Sequence, residues 1–272
     1  MRRITSVKAR QQTIYWDLEP EFLYDYLFFA SSLRFWQASE NTYEKYQLQQ
    51  QGKGICLVNL FEIYQKSLED LGAVVLAFKR RFNYDLNCKY QKDFSVQETP
   101  VTYTLINYKT GESTIKSVLG YADQEIEKNL NLQIVNRISI TLVYPNFDYS
   151  SWKNDFILNI KSLARDQDKR LRMFNKIKHG GVVISNAKIL KSSQPLGPAV
   201  IYVNPDETSA DPLVLHSFKY EEKEFVLMKK RIMEVRKMIR ELIAIYLIKQ
   251  YPDFIKSKGL SSALELLKRV EK

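Results

Sequence analysis

The chain has 272 residues, with 41 Lys and Arg against 31 Asp and Glu, giving a net charge of +10. A hydrophobic fraction of 45% with 17 Tyr, 14 Phe and 3 Trp excludes a disordered protein, and nine Gly and eight Pro exclude a collagen-like or loop-dominated one. The expectation is a single, mainly α domain over residues 1–272, a helical bundle carrying a small β insertion at about 181–218.

Residues 1–17 read as a basic lead-in, and Met1-Arg2-Arg3-Ile4-Thr5 lacks the apolar run of a signal peptide. Pro20 suits a first helical turn, and Leu23, Leu27 and Ala30 then form a stripe that continues towards Trp36. An interruption is expected near Ser39-Glu40-Asn41, and the Gln-rich 47–51 with Gly52-Lys53-Gly54 reads as a connector. Leu57, Leu60, Tyr64, Leu68, Leu71, Val75 and Phe78 recur at three and four, which predicts a long helix over Leu57–Arg81. The polar stretch 83–100 reads as a loop. Val101–Val143 mixes β-branched alternation at 103–108 and 138–143 with helical spacing at 123–132, and helices are expected.

Ser150 or Ser151 can cap the next helix, whose stripe is Phe156, Ile160, Leu163, Gln167, Leu171, Phe174 and Ile177, ending at Gly180-Gly181. Three strand-like runs follow at 181–185, 199–203 and 213–218. From Tyr220 to about Gln250 a long helix carries Phe225, Met228, Ile232, Val235, Ile239, Leu242 and Tyr246 on one side. Pro252 is expected to stop it, with a short last helix at 261–270.

Two cysteines (Cys56, Cys88) and two histidines (His179, His216) cannot supply a zinc site at the usual spacing, so no metal or cofactor is expected. They form no disulfide framework either, and a reducing cytoplasm is the simplest setting. The longest apolar runs, near 74–78 and 242–248, are too short to cross a bilayer.

Positive charge concentrates in one segment. Between Lys161 and Lys191 nine basic residues face only Asp166 and Asp168, which accounts for seven of the ten net charges. A face of this kind attracts RNA or another polyanion, through Lys169, Arg170, Lys176 and Lys178, or simply remains solvated. A second cluster, Lys229-Lys230-Arg231 with Arg236, Lys237 and Arg240, lies on the last long helix.

Arg172, Asn175 and His179 sit at i, i+3 and i+7, on one face of a helix. The helix C-terminus favours the imidazolium of His179 while Lys178 and Arg172 oppose it, which places its titration near neutrality, as proton transfer requires. An arginine on the same face can hold a phosphate bidentately, and the asparagine can orient either group. Lys178-His179-Gly180 equally suits an ordinary helix stop.

The run Arg172-Met173-Phe174-Asn175-Lys176-Ile177-Lys178-His179-Gly180 resembles the signature helix of the HEPN-like proteins (higher eukaryotes and prokaryotes nucleotide-binding). The likeness covers about ten residues, and Met173 stands where that family prefers a polar residue. The resemblance implies a helical bundle that acts on RNA as a metal-independent endoribonuclease of a toxin or phage-defence type. It further implies Arg172, His179 and Asn175 as catalytic residues and a site shared across a homodimer. The alternative is a non-catalytic module that binds nucleic acid or a nucleotide on the same basic face.

Rival motifs are thinner. Pro205-Asp206 with Glu221-Glu222-Lys223 has the order of a magnesium nuclease site, yet the latter triplet also suits a helix start. Gly52-Lys53-Gly54 lacks the remainder of a phosphate loop. The aromatics Tyr24, Phe28, Phe29, Phe35 and Trp36 suit a core better than a stacking platform, and His216 reads as a strand residue.

Overall fold

The computed structural model describes residues 17–26, 31–48, 53–82, 100–106, 115–130, 132, 148–178, 182–184, 199–203, 213–217 and 222–258. They are mainly helical. Helix α1 covers residues 17–26, α2 Ser31–Leu48, α3 Lys53–Phe82, α4 Val101–Ile106, α5 Ile115–Leu119 and α6 Asp123–Asn129. After these come α7 (Tyr149–Lys178), strands β1 (Val182–Ile184), β2 (Ala199–Val203) and β3 (Leu213–Ser217), then α8 (Glu222–Gln250) and α9 (Pro252–Ser257). The strands form one antiparallel sheet in the order β1-β2-β3, with Val183 opposite Val200 and Ile201 opposite Leu215. Among the described residues no helix is long and apolar enough to cross a membrane.

The chain divides into two compact units, each discontinuous in sequence. Unit 1 comprises 1–32, 69–165 and 237–272. Its core takes Leu71, Val74, Val75 and Phe78 from α3, Phe156, Ile160 and Leu163 from α7, and Ile239, Leu242 and Tyr246 from α8, all of them buried. Each such side chain contributes about 1.5–3 kcal/mol by leaving water. Phe78 meets Tyr246 edge to face, with ring centroids 5.2 Å apart. Lys161 to Asp123 (2.6 Å) and Lys153 to Glu127 (2.9 Å) tie α7 to α6.

Unit 2 comprises 33–68 and 166–236. Leu57, Leu60, Phe61, Tyr64 and Leu68 of α3, Phe174 of α7, and Phe225, Met228, Ile232 and Val235 of α8 are buried there. Tyr46 of α2 lies 4.5 Å from the Phe225 ring, centroid to centroid.

Several local expectations are corrected. The expected break near Ser39-Glu40-Asn41 is absent, and α2 runs through it unbroken. The Ser39 hydroxyl donates to the Trp36 carbonyl and that of Thr42 to the Ala38 carbonyl, each at 2.7 Å, so both polar groups are satisfied inside the helix. Lys53 and Gly54, read as connector, belong to α3. Gly54 is buried, and the Lys53 ammonium sits 5.1 Å above the Tyr46 ring, contacts that offset the poor helix propensity of glycine.

The cap of α7 is Asp148, not Ser150 or Ser151: its Oδ1 accepts the backbone N–H groups of both serines at 3.1 Å. Residues 103–106 are helical in α4 as expected, despite their β-branched alternation, and Val101, Thr102 and Thr104 are buried there. Pro252 does more than stop α8, since it opens α9 in the first turn, where its missing N–H costs nothing. The expectations for 1–16, 83–99, 138–143 and 261–270 lie outside the described residues.

Candidate functional site

Lys169 to Lys178 of the basic segment fall on the second half of α7, in unit 2, while Lys161 and Arg165 lie on α7 in unit 1. The helix is continuous to Lys178, so the backbones of Lys169, Arg170, Arg172, Asn175, Lys176 and Lys178 are all helical. Arg172 and Asn175, three apart, share a face by helix geometry. Lys169 and Asn175 are exposed, and Arg170 is half-buried. The side chains of Arg172, Lys176 and Lys178, and all of His179, lie outside the described residues. The structure thus places the backbone of this site as far as Lys178, and the side chains of Lys169, Arg170 and Asn175.

Beside this segment lies a polar cluster that spacing did not single out. Tyr64 of α3 is 1% exposed, and its hydroxyl donates to Asp166 Oδ2 of α7 at 3.0 Å. Arg231 of α8 brings Nε to 3.9 Å from the same oxygen, and its Nη1 donates to Glu234 Oε2 at 2.8 Å. Burial and the adjacent Asp166 charge drive the Tyr64 phenol far above its ordinary value, so it stays a neutral donor. Burial opposes the charge on Arg231, but the hydrogen bond and field of Glu234, with Tyr64 and Asp166, outweigh it and strengthen the guanidinium. A sequence signal did exist: a tyrosine inside the apolar stripe of α3 needs a partner for its hydroxyl, and Asp166 is one of two acids in the basic run.

The second basic cluster is not a uniformly solvated face. Lys229 points inward over the rings of Tyr43 (4.4 Å) and Trp36 (5.3 Å) and donates to Glu40 at 2.7 Å. Arg236 is half-buried, and burial pulls its guanidinium below the usual value. Lys230 is exposed. In unit 1, Lys237 is exposed and Arg240 is buried.

Unit 1 holds a second polar network around Glu19, which is 0% exposed. Its carboxylate accepts from the Tyr246 hydroxyl, from the Tyr251 hydroxyl at 3.1 Å and from the Thr102 N–H at 3.3 Å. Arg81, also buried, donates Nε to the Tyr246 oxygen at 3.2 Å. Burial lifts the Glu19 carboxyl above its ordinary value, and the three hydrogen bonds and Arg81 only partly restrain it. Because Glu19 itself has no exposed surface, this network joins α1, α3, α4 and α8 rather than presenting the carboxylate to solvent.

The rival readings gain little. Glu222 and Glu224 occupy the first turn of α8, the place a helix start gives to acids, while Asp206 and Glu221 lie outside the described residues. Among the described residues no cluster of His, Cys, Asp and Glu suits a metal ion. Cys56 is buried, and burial raises its thiol away from reactivity. Phe35 is buried, Trp36 lies under Lys229, and Tyr24 packs edge-on against Phe254 at 5.9 Å, so these aromatics serve packing. His216 lies on β3 opposite Val200. Comparison of the chain with protein-family models, with curated proteins and with solved structures finds no match in any of the three.

Proposed function

We propose that this chain is a HEPN-like protein that acts on RNA in the cytoplasm as a metal-independent endoribonuclease, using the second half of α7. The observation that carries the proposal is the continuity of α7 to Lys178, which holds Arg172 and Asn175 on one face beside the exposed Lys169. In this reading His179 takes the proton of a ribose 2′-hydroxyl, whose oxygen attacks the neighbouring phosphorus to form a 2′,3′-cyclic phosphate and expels the 5′-oxygen, which leaves as a hydroxyl with a proton from water. Arg172 stabilises the charge that develops on the phosphoryl oxygens, and Asn175 orients it. Lys169, Arg170, Lys176 and Lys178 hold the backbone, and a homodimer would supply two such faces. The strands within 181–218 are then an insertion following the signature helix, in a single domain.

The deciding experiment incubates the full chain and its His179→Ala and Arg172→Ala variants with single-stranded RNA in the presence of a chelator. Cleavage by the parent alone, with unchanged helical circular dichroism in the variants, is the expected result. No cleavage by the parent, or full activity of His179→Ala, overturns the enzyme.

Met173, apolar where the family prefers a polar residue, favours a second reading in which the same face binds RNA or a nucleotide without cutting it. Salt-sensitive binding without turnover selects that reading.

A further inference from the structure

We infer that Arg170 and Arg231 form a fork for a phosphodiester of the bound RNA, and that Asp166 holds the Arg231 arm of it when no RNA is present. The inference rests on the RNA reading and adds to it a residue from outside α7.

Three observations converge. Asp166 and Arg170 are one helical turn apart on α7, so they share a face. From α8, Arg231 reaches the same carboxylate, with Nε 3.9 Å from Asp166 Oδ2. The buried Tyr64 hydroxyl holds that oxygen at 3.0 Å, which fixes the carboxylate, and both arginines act electrostatically on the Tyr64 phenol. Arg170 is half-buried and makes no ion pair with a carboxylate among the described residues.

The choice of arginine matters. A guanidinium presents a planar row of donors that matches two oxygens of a phosphodiester, which a lysine ammonium cannot do. Partial burial strengthens such contacts, because water screens them less. Asp166 offers the same oxygen geometry on a smaller scale, and so acts as an internal competitor. A phosphodiester that takes over the Arg231 contact leaves Asp166 with its Tyr64 hydrogen bond and leaves Arg231 with Glu234.

The test measures binding of a labelled single-stranded uridine oligomer to the full chain by fluorescence anisotropy across a potassium chloride series. Arg170→Gln and Arg231→Gln should each weaken binding and flatten the slope of log affinity against log salt by about 0.7, the share of one phosphate contact on a single strand. Arg231→Lys keeps the charge and should recover only part of the loss. Asp166→Asn should tighten binding several-fold in the parent and far less in the Arg231→Gln background, whereas a general charge effect would be the same in both. Should Arg231→Gln lose its helical circular dichroism, the Arg170→Gln and Asp166→Asn variants still decide.

Unchanged slopes in both glutamine variants, with no gain from Asp166→Asn, overturn the fork while leaving RNA binding by the parent intact. Absence of binding by the parent overturns the RNA reading and the fork with it. Calorimetric binding of inorganic phosphate that is lost in Arg170→Gln, while RNA binding persists at full slope, assigns the fork to a free phosphate and overturns the RNA assignment.

Discussion

Glu19 accepts three hydrogen bonds, from Thr102, Tyr246 and Tyr251, yet burial still holds its carboxyl above the ordinary value of 4.5. A carboxyl whose pKa rises on folding binds its proton more tightly in the folded state. Its contribution to stability is therefore complete below the unfolded value and is lost as pH rises through the folded one. This is the opposite of the usual salt-bridged carboxylate. Glu19→Gln cannot ionise, so its unfolding free energy should gain on that of the parent as pH climbs from about 4.5 through the folded pKa, then run parallel. Urea melts of both proteins between pH 4 and 8 check this, and a constant gap between the two curves would show an ordinary carboxyl. Networks of this kind were not legible from spacing. Glu19 and Tyr246 are 227 positions apart, and Arg81 and Tyr246 are 165 apart, whereas periodicity reports only neighbours within a few turns. Apolar residues were legible for the converse reason. Each of Leu57, Leu60, Tyr64, Leu68, Leu71, Val75 and Phe78 needs only a shared face to be buried, and each is.

Among the elements, the three long helices followed from their apolar stripes, while their ends depended on polar detail that stripes do not contain. α7 illustrates both points. Phe156, Ile160, Leu163 and Phe174 are buried as their spacing requires, and so is Gln167 within the same stripe. The start was misassigned because serines and an aspartate adjoin there, and the ionised side chain wins: Asp148 satisfies two N–H groups at once and its charge complements the positive helix end. Asp148→Ala should therefore cost about 1 kcal/mol of stability at neutral pH, measured by thermal or urea unfolding, whereas Ser150→Ala and Ser151→Ala should each change it little. An equal loss from the serine variants would return the cap to them. At the end of α5 the decisive feature is a backbone angle. Gly120 has φ of 70°, and its N–H returns to the Lys116 carbonyl at 2.8 Å, so the helix closes in a conformation that side chains resist. A β-carbon there would also strike the Glu125 carboxylate.

For the whole molecule, the distribution of charge matters more than the net +10. Some of the basic residues of α8 are already engaged, Lys229 by Glu40 and two aromatic rings and Arg231 by Glu234, so they add less to an external field than their number implies. The segment 161–191 carries a formal surplus of seven, of which Lys161 is engaged by Asp123, and Lys169 and Asn175 on it face solvent. A polyanion drawn by overall charge, with no preferred seat, would respond equally to the loss of any three exposed cations, because it samples the whole surface. A polyanion seated on α7 would not. The comparison is between a Lys169→Gln/Lys176→Gln/Lys178→Gln variant and a Lys66→Gln/Lys116→Gln/Lys256→Gln variant, which have the same net charge. Lys66, Lys116 and Lys256 are exposed and lie away from the basic segment in sequence. With single-stranded RNA, the first should flatten the salt slope by about 2, the sum of three phosphate contacts, and weaken binding steeply, while the second leaves both nearly unchanged. Equal losses in the two variants would make the attraction a property of net charge and remove α7 as the seat of binding.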